Sequence, residues 1–325
     1  MQDQLSLAVN HKSHFGFDFA YLSALTGLKR ALMTRTASPL PRKHYLSIKL
    51  LIVAVLLTLA AIPQGMTQEG PTIPQYWDER ERLPSPDISA FERVRFLTTN
   101  DFPPFNYLDR MGRPAGFHVD LARAICAELA ITELCQIQVI PWEELEGALE
   151  ARQGEAIIAG LAVTAETRER FAFTRSYLRF PARFVVQRSS TLAEPMHQAI
   201  AGMRVGVIEG SAHEAMLRDY FEDARPVIYS RQGWMMRDLR EGRIDAVFGD
   251  GMRLSFWLAE GEAESCCRFA GGPYLSPGFL GLGLAIATRH EDEPLARAFD
   301  YALREISVSG RFAELYLRHF PIGFY

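Results

Sequence analysis

The chain has 325 residues, of which 48% are hydrophobic and 23% charged, and its formal net charge is −4 at pH 7. This length predicts about two lobes or domains with packed cores, and the hydrophobic content excludes a wholly disordered chain. The acidic balance argues against a nucleic-acid partner, because phosphate backbones attract basic patches.

The first 65 residues have the pattern of an export segment. Arg42, Lys43 and Lys49 precede the apolar run at 50–62, and polar residues follow it. A bilayer span needs roughly 20 apolar residues, so this run is short for one. We therefore predict a cleaved signal peptide and a periplasmic protein; an uncleaved membrane anchor and a buried helix stay open. A translation start at Met33 would leave a signal of conventional length.

Residues 66–90 form a polar, proline-rich stretch without clear periodicity. We interpret it as a linker or an ordered leader.

Strand and helix patterns alternate from residue 94 onward. The stretches RVRFLTT, CQIQVIP and EAIIAGLAV favour strands, and GFHVDLARAICAELA and WEELEGALEARQG favour helices. Thr164 is a suitable N-cap for the next helix, with Thr167 three residues on in place of the usual Glu. After a predicted crossing strand, ARFVVQR, the pattern repeats with the strands MRVGVIE, PVIYS and RIDAVFGD and the helices SAHEAMLRDYF and QGWMMRDLREG. This order predicts two α/β lobes with parallel sheets covered by helices.

The four cysteines form an even set in a protein expected in an oxidising compartment. Cys126 lies on a predicted helix and Cys135 just before the next strand, so we expect a disulfide between them; the alternative is buried, reduced cysteine. Cys266 and Cys267 are adjacent, and their state stays open. The chain has neither a C-x-x-C motif nor a His/Cys cluster, so we expect no metal site, and we expect no cofactor.

Asp250 directly follows the predicted strand AVFG. Ligands of open α/β sheets bind beyond the carboxyl ends of the strands, so a carboxylate there suits a ligand cation. The alternative is a solvated acid at a strand end. Asp245, at the other end of the same stretch, is better explained by a structural role after the turn at Gly242.

Several segments between about 91 and 325 resemble the periplasmic substrate-binding proteins of the polar amino acid transporter family. They are PPFNYLDRMGRPAGFHVDLARAI, IIAGLAVTAETRERFAFT, RVGVIEGSAHE, GRIDAVFGD and SGRFAELYLRHF. The resemblance implies a type II periplasmic binding fold: two lobes, each a mostly parallel sheet with flanking helices, with the ligand in the cleft. It places one lobe at 91–184 plus 287–325 and the other at 185–286, with crossings near 180–186 and 281–287.

The resemblance also implies the ligand contacts. Asp250 would bind the α-ammonium group, and the backbone at Gly160 and Ala162 would meet the ligand. Gly210 and Ser211, entering a helix, would offer amides and a hydroxyl to a carboxylate. The alternative for this last pair is a plain helix cap.

Two aromatic residues, Phe102 and Trp142, occupy positions that the family uses to sandwich the ligand, although both could simply pack in a core.

One position departs from the family pattern. The family's carboxylate-binding Arg corresponds to Thr167, and Arg168 follows it. Adjacent helical residues point about 100° apart, so Arg168 reaches the site only if the helix start shifts. Otherwise Arg168 is a surface charge and the ligand lacks a standard α-carboxylate. Ala212, where the family often has a hydroxyl, weakens the carboxylate site further.

The sequence therefore predicts a non-enzymatic binding protein that captures an amino acid or a related compound and delivers it to an ABC transporter permease. A sensor or accessory binding domain is one alternative. A second is an enzyme like the cyclohexadienyl dehydratases of the same fold, with Glu209, His213 and Asp250 as candidate acids or bases.

Overall fold

The structure is a computed structural model that describes residues 73–78 and 80–325. Every element below belongs to the compact unit Glu69–Tyr325. The predicted export segment and the start at Met33 lie outside the described residues. Within the described ranges, the helices are too short or too polar to cross a membrane.

Thirteen strands and eleven α-helices make up the described part of the chain. The strands are β1 Val94–Thr98, β2 Asp101–Phe102, β3 Asn106–Leu108, β4 Pro114–Ala115, β5 Cys135–Val139, β6 Ala156–Ile157, β7 Phe171–Phe173, β8 Ala182–Gln187, β9 Arg204–Ile208, β10 Arg225–Tyr229, β11 Ala246–Asp250, β12 Cys267–Tyr274 and β13 Ala287–Arg289. The helices are α1 Phe117–Glu128, α2 Leu145–Glu150, α3 Ala165–Arg170, α4 Met196–Ala199, α5 Ala212–Tyr220, α6 Gln232–Arg240, α7 Gly251–Leu258, α8 Gly261–Cys266, α9 Pro277–Leu280, α10 Glu293–Val308 and α11 Arg311–His319.

Two five-stranded sheets carry the fold, in the orders β5-β1-β6-β13-β7 and β10-β9-β11-β8-β12. In each, one strand runs against the others: β13 pairs antiparallel with both neighbours in the first sheet, and β8 does so in the second. Four of five strands therefore point the same way, which confirms two α/β lobes with mostly parallel sheets. A small meander, β2-β3-β4, lies outside them.

The first lobe buries its sheet under α1, α10 and α11. Phe96 of β1 is fully buried and packs against Phe299 of α10, with ring centroids 5.1 Å apart. Phe117 of α1 stacks edge to face with Phe312 of α11. This apolar contact between helices distant in sequence holds the C-terminal segment on the first lobe.

The two connections between the lobes pair with each other. The chain passes from β7 to β8 and returns from β12 to β13, and the connections form an antiparallel bridge between Leu178 and Leu284. Gly283 has φ +92°, and a Cβ there would lie 2.4 Å from the Leu178 carbonyl oxygen, so this close approach requires glycine.

Two segments differ from the sequence-based expectation. The predicted strand EAIIAGLAV is a strand only at Ala156–Ile157, because Gly160, with φ +90°, turns the chain out of the sheet. The predicted crossing strand ARFVVQR instead lies inside the second sheet, between β11 and β12. The bridge at Leu178 places the first crossing ahead of it. The predicted lobe boundaries remain predictions.

The expected disulfide is present: Cys126 and Cys135 are joined, with Cα atoms 6.3 Å apart, and tie α1 to β5. Cys266 and Cys267 are also joined to each other.

The described part of the leader packs on the first lobe. Trp77 is 5% exposed and belongs to the core that contains Phe96 and Phe117. The Arg175 guanidinium lies over its ring and donates two 2.6 Å hydrogen bonds to the Glu81 carboxylate.

Candidate ligand-binding site

Asp250 is both the last residue of β11 and the N-cap of α7. Its Oδ1 accepts a hydrogen bond of 2.8 Å from the backbone amide of Arg253. The chain turns sharply here: a Cβ on Gly251 would lie 2.9 Å from the Pro181 carbonyl oxygen. The acid at the end of a buried strand is thus held in place as a helix cap.

Asp250 lines a cavity of about 210 Å³ in the second lobe. Helix α6 supplies Gln232, Met235 and Met236, which share one face because they are three and four residues apart. The wall is completed by Ile208, Ser211, His213, Phe248, Gly249, Arg253 and Leu254. An apolar wall with a few convergent polar groups is typical of a small-molecule site.

Burial in the cavity shifts the pKa values of Asp250 and His213 in opposite directions. Removal from water raises the pKa of the Asp250 carboxyl, although the Arg253 amide and the nearby His213 work against that rise. The same desolvation lowers the pKa of His213. Both shifts disfavour the charged forms, so a ligand cation beside Asp250 would stabilise the carboxylate that burial destabilises.

A second cavity, of about 480 Å³, opens between the lobes. The first lobe contributes Phe102, Pro103 and Pro104, and the second contributes residues of α6 and α7. Gln232 and Arg253 line both cavities, so they stand where the Asp250 cavity meets the cleft between the lobes.

The Phe102 ring packs against two residues of its own lobe. Its ring stacks on the buried Phe105 with centroids 4.7 Å apart, and Gly160 lies against its edge, where an added Cβ would be 3.3 Å from Cε1. Phe102 and Gly160, two predicted contacts, are therefore neighbours at the cleft.

At the start of α5, the amides of Gly210 and Ser211 already have partners within the protein. The Gly210 amide donates to the Glu214 carboxylate at 2.8 Å, and the Ser211 amide donates to the Ile208 carbonyl. Ser211 Oγ caps the helix by accepting from the Glu214 amide. The Gly210 amide and then Arg218 lower the pKa of Glu214, which keeps a negative charge where the resemblance places the ligand carboxylate.

The start of α3 is likewise capped by side chains close to it in the chain. Thr164 and Thr167 form a reciprocal capping box, in which Thr167 replaces the usual Glu. Thr167 Oγ1 also donates to the Ala162 carbonyl at 2.7 Å. Arg168 is exposed, and its guanidinium has no hydrogen bond or ion pair among the described groups.

The remaining predicted residues lie apart from the Asp250 cavity. Trp142 is 45% exposed and lines a separate groove with Asn100, Asp101 and Pro141. Glu209 is exposed. Where the structure describes the chain, no cluster of three His, Cys, Asp or Glu side chains could hold a metal ion.

The sequence interpretation missed Arg253 and Gln232. The available signal was a lone charge three residues after Asp250, at the start of the otherwise apolar helix GMRLSFWL.

Known proteins resemble this chain along its folded length. Residues 94–322 match the family described as bacterial extracellular solute-binding proteins, family 3. The L-arginine-binding protein of Pseudomonas aeruginosa PAO1 is 29% identical over 245 residues, which are 75% of this chain and 93% of the relative. The histidine-binding periplasmic protein of Escherichia coli K12 is 28% identical over 236 residues, 72% of this chain and 90% of the relative. A crystal structure of an ancestral cyclohexadienyl dehydratase shares the fold, with a TM-score of 0.61 and 19% identity over 72% of this chain and 95% of that one.

Proposed function

The chain belongs to family 3 of the bacterial extracellular solute-binding proteins, and from this membership we propose that it captures an amino acid or amino-acid-like compound in the periplasm and delivers it to an ABC transporter permease. The observation that carries the proposal is Asp250, a desolvated carboxylate at the end of β11 in a cavity of about 210 Å³. A charge-assisted hydrogen bond from an ammonium group would be the strongest contact available there.

The relatives' names support the same class of ligand. One is named for L-arginine and another for histidine, and both amino acids carry the α-ammonium group that Asp250 would bind.

The mechanism we propose is closure of the two lobes. Asp250 belongs to the second lobe and Phe102 to the first, and the cleft between them is open to a ligand. A ligand that touches both lobes binds the closed state better than the open one and shifts the population toward it. The closed form would then present a joint surface to the permease.

We propose binding without turnover. The ancestral dehydratase shares only the fold at 19% identity, and Glu209, one of the three candidate acids or bases, is exposed. Conversion of prephenate or arogenate by the purified protein would contradict this part of the proposal.

A thermal-shift screen tests the function. The protein, expressed as the full chain and purified as its host processes it, is screened against L-amino acids, opines, polyamines and small carboxylates. A ligand at about 1,000 times its dissociation constant adds roughly 4 kcal/mol of stability. Stabilisation by one class of α-amino acids is the expected result. Hits confined to compounds without an ammonium group would overturn the assignment of Asp250.

A further inference from the structure

We propose that Arg253 is the carboxylate-binding residue of this site, so that the second lobe alone holds both charged ends of a zwitterionic α-amino acid. This inference rests on the proposed function and adds the residue that would bind the ligand's carboxylate, beside Asp250 for its ammonium group.

The groups that the resemblance assigns to the carboxylate are uncharged or already bonded within the protein. Thr167 carries no charge, and its hydroxyl is committed to Ala162 and to the capping box with Thr164. The Gly210 amide is committed to Glu214, whose negative charge would repel a second carboxylate. These positions leave a ligand carboxylate without a charged partner.

Arg253 lies where the Asp250 cavity meets the cleft between the lobes. It lies one helical turn after Asp250 on α7, lines the Asp250 cavity, and also lines the cleft that contains Phe102. The Asp250 carboxylate and the Arg253 guanidinium line one cavity. This pair of opposite charges matches the ammonium and carboxylate groups of an α-amino acid, which are themselves close together.

The guanidinium of Arg253 is available to a ligand. Arg253 is exposed, and across the described ranges its side chain forms no hydrogen bond or ion pair with a protein group. Glu260, which lines the same cleft, forms no ion pair with it there. An unpaired guanidinium fork is the side chain best suited to bind a carboxylate with two parallel hydrogen bonds.

Arg168 is the competing candidate, because it too has no partner among the described groups. It follows Thr167 on α3, whose side chain points back toward Ala162, and adjacent helical residues diverge by about 100°. Arg168 also lines neither the Asp250 cavity nor the cleft that contains Phe102. The geometry therefore favours Arg253.

The test compares each amino acid with its C-terminal amide, which keeps the ammonium group and loses the carboxylate charge. The probe is the L-amino acid that most stabilises the wild-type protein, with its amide as the matched ligand, and both affinities are measured by calorimetry. We expect Arg253→Gln to weaken the acid by about 10- to 100-fold and to leave the amide nearly unchanged. Arg253→Lys should recover part of the loss, and Arg168→Gln should change neither affinity.

The outcomes separate this inference from the function on which it rests. If the wild-type protein binds an amino acid but Arg253→Gln keeps its preference for acid over amide, Arg253 is not the partner. Loss of that preference in Arg168→Gln instead would assign the contact to the first lobe. If the wild type binds no amino acid, the proposed function fails and this inference fails with it. An unchanged melting temperature of each ligand-free variant excludes misfolding.

Discussion

At the scale of single residues, Asp250 combines two tasks that are usually separate. Its Oδ1 caps α7 by accepting a hydrogen bond from the Arg253 amide, and the same carboxylate lines the cavity in which we propose that the ligand binds. The cap holds the side chain in one orientation before a ligand arrives, which reduces the entropy lost on binding.

Asp250→Asn should weaken binding of an ammonium ligand by about 10- to 100-fold, because a charge-assisted hydrogen bond becomes a neutral one. Folding should be nearly unaffected, since Asn is also a good N-cap. Calorimetric titration measures the affinity.

Asp245→Asn is the matched control: Asp245 pairs with Arg204 at 2.8 Å near the opposite end of β11. Its replacement should cost at most about 1 kcal/mol of stability and leave affinity unchanged. Equal affinity in both variants would remove Asp250 from the site.

Binding should weaken as the pH is lowered from 7 toward 4. The pKa of Asp250 is raised in the free protein, and an ammonium ligand would lower it again, so binding favours the deprotonated form and acid opposes binding. His213, whose pKa is lowered by burial, gains its charge at a lower pH than an ordinary histidine does, and that charge would repel the ligand ammonium and weaken binding in the same direction. Affinity measured against pH in wild type and His213→Gln separates the two groups. A flat profile in wild type would contradict the raised pKa of Asp250.

At the level of secondary-structure elements, the N-termini of α3, α5 and α7 differ in the groups they contact. The starts of α3 and α5 are capped by nearby side chains. Thr164 and Thr167 form a capping box at α3, and Glu214 accepts a hydrogen bond from the Gly210 amide at α5. The start of α7 instead faces a cavity and carries two opposite charges, Asp250 and Arg253. If the proposed function holds, both charged contacts to the ligand come from the start of α7.

The Cys126–Cys135 bridge fixes α1 against β5. Replacing both cysteines with alanine should lower the free energy of unfolding by about 2 to 3 kcal/mol, because the unfolded chain regains the freedom of a short loop. Denaturant unfolding under oxidising conditions measures the loss. With a strong reductant present, the difference between wild type and variant should shrink; a difference that persists would assign the loss to packing of Cys126, which is buried.

At the scale of the whole molecule, the first lobe gathers distant parts of the chain. The leader contributes Trp77, the central region contributes α1, and the C-terminal region contributes α10 and α11 to one core. Near the crossings, the Tyr325 hydroxyl hydrogen-bonds with Tyr76 and Arg179. The leader and the C-terminus thus both meet the segment that joins the lobes.

Trp77→Ala should lower the free energy of unfolding by about 3 to 5 kcal/mol, because it leaves a cavity and removes the ring under Arg175. Trp234→Ala is the control, since Trp234 is 45% exposed and its loss should cost about 1 kcal/mol or less. Denaturant unfolding compares the two variants. Similar small losses would mean that the leader contributes no stability to the first lobe.

Local pattern was sufficient for the elements whose formation depends on nearby residues. The apolar spacing of GFHVDLARAICAELA predicts α1, and the alternation of strands and helices predicts two α/β lobes. The pattern failed at EAIIAGLAV, because the turn at Gly160 depends on a backbone conformation that composition does not reveal.

The family, the two lobes, the Cys126–Cys135 pair and the acid at the end of β11 could be predicted from the sequence, since they depend on periodicity, spacing and motif order. The separate groove of Trp142, the bond between the Gly210 amide and Glu214, and the position of Arg253 at both cavities became visible in the folded chain. The groove and the two cavities are formed by side chains from distant segments, and the Gly210–Glu214 bond depends on where α5 begins, so the packing and the exact helix start decide them.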